Sequence, residues 1–156
     1  MAKNIKRVVK LFRSSSYHTM DTKGRIIIPS RFKDVIKADG RAGVMVSCLD
    51  NALYAYTFNE WHNIEKKILA NKSRHMVKFK RVFIGNACEC MCDRQDRIRI
   101  PRNLRESAGL EKEIALIGLL DHFEIWSKEN WIKENKIVNK DLEKDEVRDE
   151  IASIGL

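Results

Sequence analysis

A chain of 156 residues, 44% of them hydrophobic, can bury one substantial core or two small ones packed together. No apolar run approaches the roughly 20 residues of a membrane span, and the start MAKNIKRVVKLF lacks the apolar segment and cleavage site of a secretion signal, so a folded cytoplasmic protein with no membrane partner is expected. The formal charge of +8 is basic between Lys3 and Lys33 and acidic towards the C-terminus; this favours a polyanionic partner, nucleic acid first, with a merely solvated surface as the plain alternative.

In chain order, residues 1–14 form a basic extension that ends near Arg13. Ser15 to Met20 and Arg25 to Ile28 are strand-like, and DTKG between them offers a turn, because Asp bonds its own backbone and Gly accepts positive φ. Together they read as a β-hairpin with a basic tip. Pro29 closes the second strand, and Ser30 is placed to cap the short helix RFKDVIK. GVMVSCLD and ALYAYTF read as two apolar strands joined through Asp50 and Asn51. Asn59 is the expected cap of a helix from about Glu60 to Ala70 with Trp61, Ile64, Ile68 and Leu69 on one side, and Ser73 caps another through Val77, Val82 and Phe83.

Cys88, Cys90 and Cys92 follow at alternate positions and share one strand face. That spacing has neither the turn of a C-x-x-C metal knuckle nor disulfide geometry, so packed reduced thiols are expected there and at Cys48, with metal or redox chemistry the lesser reading. No cofactor is implied. The strand-turn grammar then recurs at CMCDRQDRIRIP, followed by a helix over RNLRESAGL with Gly109 as its stop, and by strands EIALIGLL and HFEIWS. After Asn135, Ile137, Leu142, Val147, Ile151 and Ile154 stand among alternating charges, as in a weakly amphipathic helix or a fraying end.

The recurrence is a duplication. HTMDTKGRIIIPSRF and CMCDRQDRIRIPRNL align without a gap, pairing Asp21 with Asp93, Arg25 with Arg97, Ile26 with Ile98, Ile28 with Ile100 and Pro29 with Pro101; further on, LYAYTFNEW echoes FEIWSKENW. Each unit spans about 70 residues, and two copies are too few for a solenoid. A two-hairpin unit cannot bury both faces of its strands alone. The expected fold is therefore α+β, mainly β: a duplicated barrel in which strands of the two copies interleave, with flanking helices. Its parts are a first unit over 15–62, connecting helices over 63–86, a second unit over 87–130 and a helical tail over 131–156. Association between chains is also expected.

FRSSSYHTMDTKGRIIIPSRF, CECMCDRQDRIRIP, RESAGL and FEIWSKENW, in that order, closely resemble the MraZ family of bacterial transcriptional regulators, which carry two SpoVT/AbrB-type domains; the match runs from about Phe12 to Trp131. The resemblance implies a swapped-hairpin barrel, homo-oligomeric rings, and repression through direct DNA repeats upstream of the division and cell-wall gene cluster, in the cytoplasm and associated with the nucleoid. The alternative is an oligomeric scaffold or an antitoxin-like member of the AbrB superfamily; antitoxins of that type commonly carry one hairpin unit and a disordered tail, whereas this chain has two units. Two departures bear on geometry. Asp96 stands where the family has Gly, so the second turn either holds an Asp at positive φ or adopts another form, and Ser14 also replaces a common Gly.

Within the resemblance the hairpin motif is Asp21, Gly24 and Arg25, repeated as Asp93 and Arg97. A planar guanidinium grips phosphate or the O6/N7 edge of guanine with two bonds, which makes Arg25 and Arg97 candidate DNA contacts. Lys23, Arg31 and Lys33, with Arg94, Arg99 and Arg102 in the other copy, are candidate phosphate contacts, and Arg13 joins them. The competing reading makes Asp21 with Arg25, and Asp93 with Arg97, ion pairs that fix the hairpin or join subunits; both roles can coexist. Because the first turn keeps Gly24, Arg25 is expected to matter more than Arg97. His18, His62, His75 and His122 are scattered and no nucleophile has a recognisable base, so catalysis and a small-molecule substrate are not expected.

Overall fold

The computed structural model describes residues 10–156, so most of the expected N-terminal extension lies outside the described residues. The first repeat supplies β1 (Ser15–Thr19), β2 (Arg25–Ile27), α1 (Ser30–Ala38), β3 (Gly43–Leu49), β4 (Ala52–Tyr56), α2 (Phe58–Ala70) and α3 (Arg74–Phe83). The second supplies β5 (Cys88–Met91), β6 (Arg97–Arg99), α4 (Arg102–Ser107), β7 (Glu113–Gly118), β8 (Phe123–Ser127), α5 (Lys128–Asp141) and α6 (Asp145–Ser153).

Alternation along the strands builds a two-sided sheet. Val44, Val46, Leu53, Ala55, Ile114, Leu116, Phe123 and Ile125 face one cluster, while Ala52, Ala115, Ile117, Trp126, Tyr56 and Met45 face the other side. The six strands run in the order β1-β7-β8-β4-β3-β5, and β2 and β6 form a separate two-stranded ribbon. Every strand pairing among the described residues is antiparallel. The first face is covered by the ribbon, through Ile26 and Ile98, and by α1 and α4, through Phe32 and Leu104. The opposite face carries α2 and α3 over the first repeat, where the buried Ser47 hydroxyl donates to the Phe83 carbonyl, and α5 over the second. The result is the expected α+β fold dominated by strands.

Strand exchange follows the duplication. β1 pairs with β7, with Tyr17 opposite Ala115, and β5 pairs with β3, with Glu89 opposite Met45; each repeat thus lends its first strand to the other. This corrects the expected local hairpin: β1 and β2 are joined by a tight turn, but their ladders go to β7 and β6. A period of two tells which face a side chain occupies and leaves the neighbouring strand open. β3 and β4 do form a hairpin, turned through Asp50 and Asn51 at φ 50° and 64°.

Two helix starts also differ from expectation. Pro29 rather than Ser30 stands at the N-cap of α1, with no side-chain cap bond, because the fixed φ of proline already sets the helix entry. Thr57 rather than Asn59 caps α2, its hydroxyl accepting from the Glu60 N–H at 3.3 Å, whereas Ser73 caps α3 as expected. On α2, Trp61 and Ile68 are buried and Ile64 packs beside them, but Leu69 points to solvent, as do Val77 and Val82 on α3. The tail is helical in two pieces with no buried residue in either. Gly109, at φ 61°, ends α4.

Cys48 and Cys90 are buried, and Cys88 and Cys92 pack against the same cluster, so the alternate thiols share a face. Burial, then the neighbouring Cys88, pushes the Cys90 thiol up to about 12, where it is no nucleophile at neutral pH.

A polar network lies under α2 and α5. His122 stacks on Tyr54 and Tyr56 at centroid distances of 5.2 and 5.0 Å, its Nδ1 is 2.6 Å from Asp121 Oδ1, and its Nε2 is 3.8 Å from Glu124 Oε2. Trp126 Nε1 donates to Glu124 Oε1 at 3.0 Å. Burial alone would lower the His122 pKa; the carboxylates of Glu124 and Asp121 outweigh it and raise the pKa above its ordinary 6.5. The charged imidazole therefore stabilises the fold fully below about pH 6.5, and that contribution is lost as pH rises through the raised value. Melting temperatures across pH 6 to 9 should fall with a slope that His122→Asn removes; an unchanged slope in the variant would assign it elsewhere.

Candidate nucleic-acid interface

The ribbon sets Ile26 opposite Ile98, Arg25 opposite Arg99 and Ile27 opposite Arg97. Ile26 and Ile98 are fully buried, so alternation turns Arg25, Ile27, Arg97 and Arg99 to the outer face. Just past the short strands lie Ile28 and Ile100, whose N–H groups donate to Asp96 O (2.9 Å) and Gly24 O (2.8 Å), tying each turn to the other repeat's strand.

Both turns are built alike. The Gly24 N–H donates to Asp21 O at 3.0 Å and the Asp96 N–H to Asp93 O at 3.0 Å. Gly24 has φ 81° and Asp96 φ 57°, so the second turn keeps the glycine conformation with an aspartate in it, and Ser14 likewise sits at φ 71°. A side chain at Gly24 would put its Cβ 2.8 Å from the Ile100 carbonyl oxygen, which no L-residue tolerates without displacing backbone.

The aspartates organise these loops. Asp21 Oδ1 accepts from the N–H groups of Lys23 (2.9 Å) and Arg25 (2.8 Å), and Oδ2 accepts from Arg25 Nε at 2.6 Å. Asp93 repeats this with Gln95, Arg97 and Arg97 Nε at 2.9, 2.9 and 2.8 Å. The backbone N–H of each arginine first, then its guanidinium, holds each carboxyl below the ordinary aspartate range, so both are anions at neutral pH. Each ion pair engages the arginine through Nε, which leaves the terminal nitrogens for a further acceptor. The hairpin-fixing role is thus present, and it orients the guanidinium.

The other candidates divide by location. Arg99 shares the ribbon, its Nε donating to Lys23 O at 3.1 Å, which brings the first turn's Lys23 beside it. Lys33 reaches the second turn through a 2.9 Å ion pair with Asp96, two residues from Arg94. Neither Lys23 nor Arg94 has an acidic partner within 4.0 Å among the described residues. Arg31 is drawn away from this group: it donates to Arg13 O at 3.0 Å and Ser16 Oγ at 2.8 Å and stacks on Phe32, so it secures the entry to β1 together with Arg13. Arg102 pairs with Glu106 on α4 at 2.9 Å and is largely exposed.

Pairing of β2 with β6 was not expected from the sequence, although RIRIP in the second copy carries its signal. Its strict alternation shows which side faces out, where the run RIIIP of the first copy conceals it.

Comparison with known proteins agrees with the architecture. A family model described as "MraZ protein, putative antitoxin-like" matches twice, over residues 11–80 and 83–149. A protein of Desulforapulum autotrophicum named Transcriptional regulator MraZ is 65% identical over 146 residues, covering 94% of this chain and 100% of the relative. Relatives of the same name from Desulfosudis oleivorans and Caldicellulosiruptor bescii are 49% and 40% identical, over 94% and 89% of the chain and 100% and 95% of their own lengths. With both repeats matched and identity of this order along nearly the whole length, the chain belongs to the MraZ family.

Proposed function

We propose that the chain is a sequence-specific DNA-binding transcriptional regulator, without enzymatic activity, that represses genes through direct repeats in double-stranded DNA. The observation that carries this is the ribbon: an outward face bearing Arg25, Arg97 and Arg99 on strands whose inward residues lie in the core, with two guanidiniums pre-oriented by aspartates. A two-stranded β-ribbon fits the major groove of B-DNA, where arginine reads guanine by two bonds. Lys23, Arg94 and Lys33 at the turns supply phosphate contacts in this reading, and Arg13, Arg31 and Arg102 stand outside the ribbon surface. Names of the relatives, each a transcriptional regulator, support the same class.

Several chains assembled as a homo-oligomeric ring would present ribbons at fixed spacing, so that repeats engage them together at raised effective concentration. Occupation of a promoter by such an assembly excludes polymerase. The division and cell-wall gene cluster is the target that the family resemblance suggests, and a cytoplasmic, nucleoid-associated location goes with it. Units over 15–62 and 87–130, joined by 63–86 and followed by a tail from 131, are the division we favour; exchanged strands mean that neither half is complete alone.

Footprinting on DNA upstream of the protein's own gene should show a run of evenly spaced protected boxes. Affinity should fall steeply with salt, with a log-log slope of roughly −0.9 per phosphate neutralised. Equal binding to repeat-bearing and scrambled duplexes would reduce the activity to nonspecific attraction by a basic protein, and a monomer in solution would remove the ring.

A further inference from the structure

The two ends of the ribbon differ. Duplication maps Arg25 onto Arg97 and Ile26 onto Ile98, and so should map residue 27 onto residue 99; one is Ile and the other Arg. In register, Arg25 faces Arg99 at one end while Ile27 faces Arg97 at the other. One end carries two guanidiniums, and the other carries one guanidinium and one branched aliphatic side chain. Ile27 is 60% exposed, against 0% for Ile26 on the same strand. Strand propensity does not require isoleucine there, since threonine suits an exposed strand position as well.

The major groove presents one apolar group, the 5-methyl of thymine, and aliphatic side chains contact it. Resting on the DNA-reading function above, we propose that Ile27 is a specificity-determining residue that packs on the 5-methyl group of a thymine beside the base contacted by Arg97. The neighbouring guanidiniums are already held: Arg97 by Asp93 at 2.8 Å and Arg99 by the Lys23 carbonyl at 3.1 Å. Ile27 therefore stands opposite one fixed cation, Arg97, at the end of the ribbon away from Arg99, as the apolar knob of the face. A reader built by duplication, which would otherwise favour a symmetric sequence, acquires a direction: its second-repeat arginine and first-repeat isoleucine together define one end of a non-palindromic box.

The test uses the full-length assembly and a duplex enriched by the wild-type protein from a randomised pool. Each thymine in that duplex is replaced singly by deoxyuridine, which removes only the methyl group. One replacement should weaken wild-type binding about three- to fivefold, the worth of one buried methyl. Ile27→Ser should bind the thymine and uracil forms equally at that position while keeping its response to base changes elsewhere. Ile27→Arg, which restores the residue of the other copy, should enrich a different base there. Indifference of the wild type to every replacement, an enriched site without thymine, or retained sensitivity in Ile27→Ser would overturn the proposal. So would an altered assembly mass in Ile27→Ser with uracil sensitivity intact, which would make Ile27 a subunit contact. A pool from which the wild type enriches no sequence would instead remove the DNA-reading function itself, and this inference with it.

Discussion

Arg25→Ala and Arg97→Ala are each expected to weaken binding to repeat-bearing DNA by about 1–3 kcal/mol per site if the guanidinium is bidentate to a base, with oligomer mass and melting temperature nearly unchanged. Truncation leaves the turn most of its support. Asp21 and Asp93 keep their backbone N–H donors, and Gly24 and Asp96 keep the bonds that close the loops. Asp21→Asn separates the two roles of the carboxylate, since an amide oxygen still accepts from the backbone but no longer holds the guanidinium by charge. That variant should lose less affinity than Arg25→Ala. Loss of assembly mass or of the melting transition before loss of binding would assign the arginines to the scaffold. The two turns share one shape, at φ 81° and 57°, so turn geometry offers no ground for ranking Arg25 above Arg97. Their neighbours in register, Arg99 and Ile27, are where a difference would arise.

Phe123→Ala is expected to destabilise the fold by about 3–5 kcal/mol, a large part of the roughly 5–15 kcal/mol that holds a domain together. Phe123 comes from the second repeat and meets Phe12 and Phe32 of the first at centroid distances of 5.1 and 4.8 Å; Phe12 and Phe32 meet edge to face at 5.2 Å. All three rings are at most 1% exposed. The cluster is therefore shared, and its loss should lower one cooperative transition rather than split it into two. A drop under about 1 kcal/mol, or two resolved transitions, would show that the repeats are stabilised separately. DNA affinity measured well below the melting range should persist, because no ring touches the ribbon's outer face.

Faces were legible in the sequence and neighbours were not. The strand period of two groups the residues of GVMVSC, ALYAY, EIALI and FEIW by shared face, and the departures at Ser14 and Asp96 marked two positions that do take positive φ. Partner choice was hidden, because β1 can satisfy its backbone on β2 or on β7 with the same side chains turned inward. The excess of arginines likewise named candidates without sorting them: distance alone shows Arg31 bound to the lead into β1 and Lys33 drawn to Asp96. In the cluster around His122, Asp121, Glu124 and Trp126 are near neighbours in sequence, but Tyr54 and Tyr56 join them only when β4 lies beside β8.

The exchange of first strands also has a temporal side. Ser15 pairs with Ile117, so at a translation rate of about 5–20 residues per second β1 waits on the order of 5–20 s before its partner has been made. β3 likewise lacks β5, and β2 lacks β6, until residues 88–99 have been made, and a nascent chain halted before Cys88 displays open strand edges that a protease or a second nascent chain can engage. Polysomes crowded with such chains also offer each β1 the β7 of a neighbour, so the same geometry that knits one molecule together can join two.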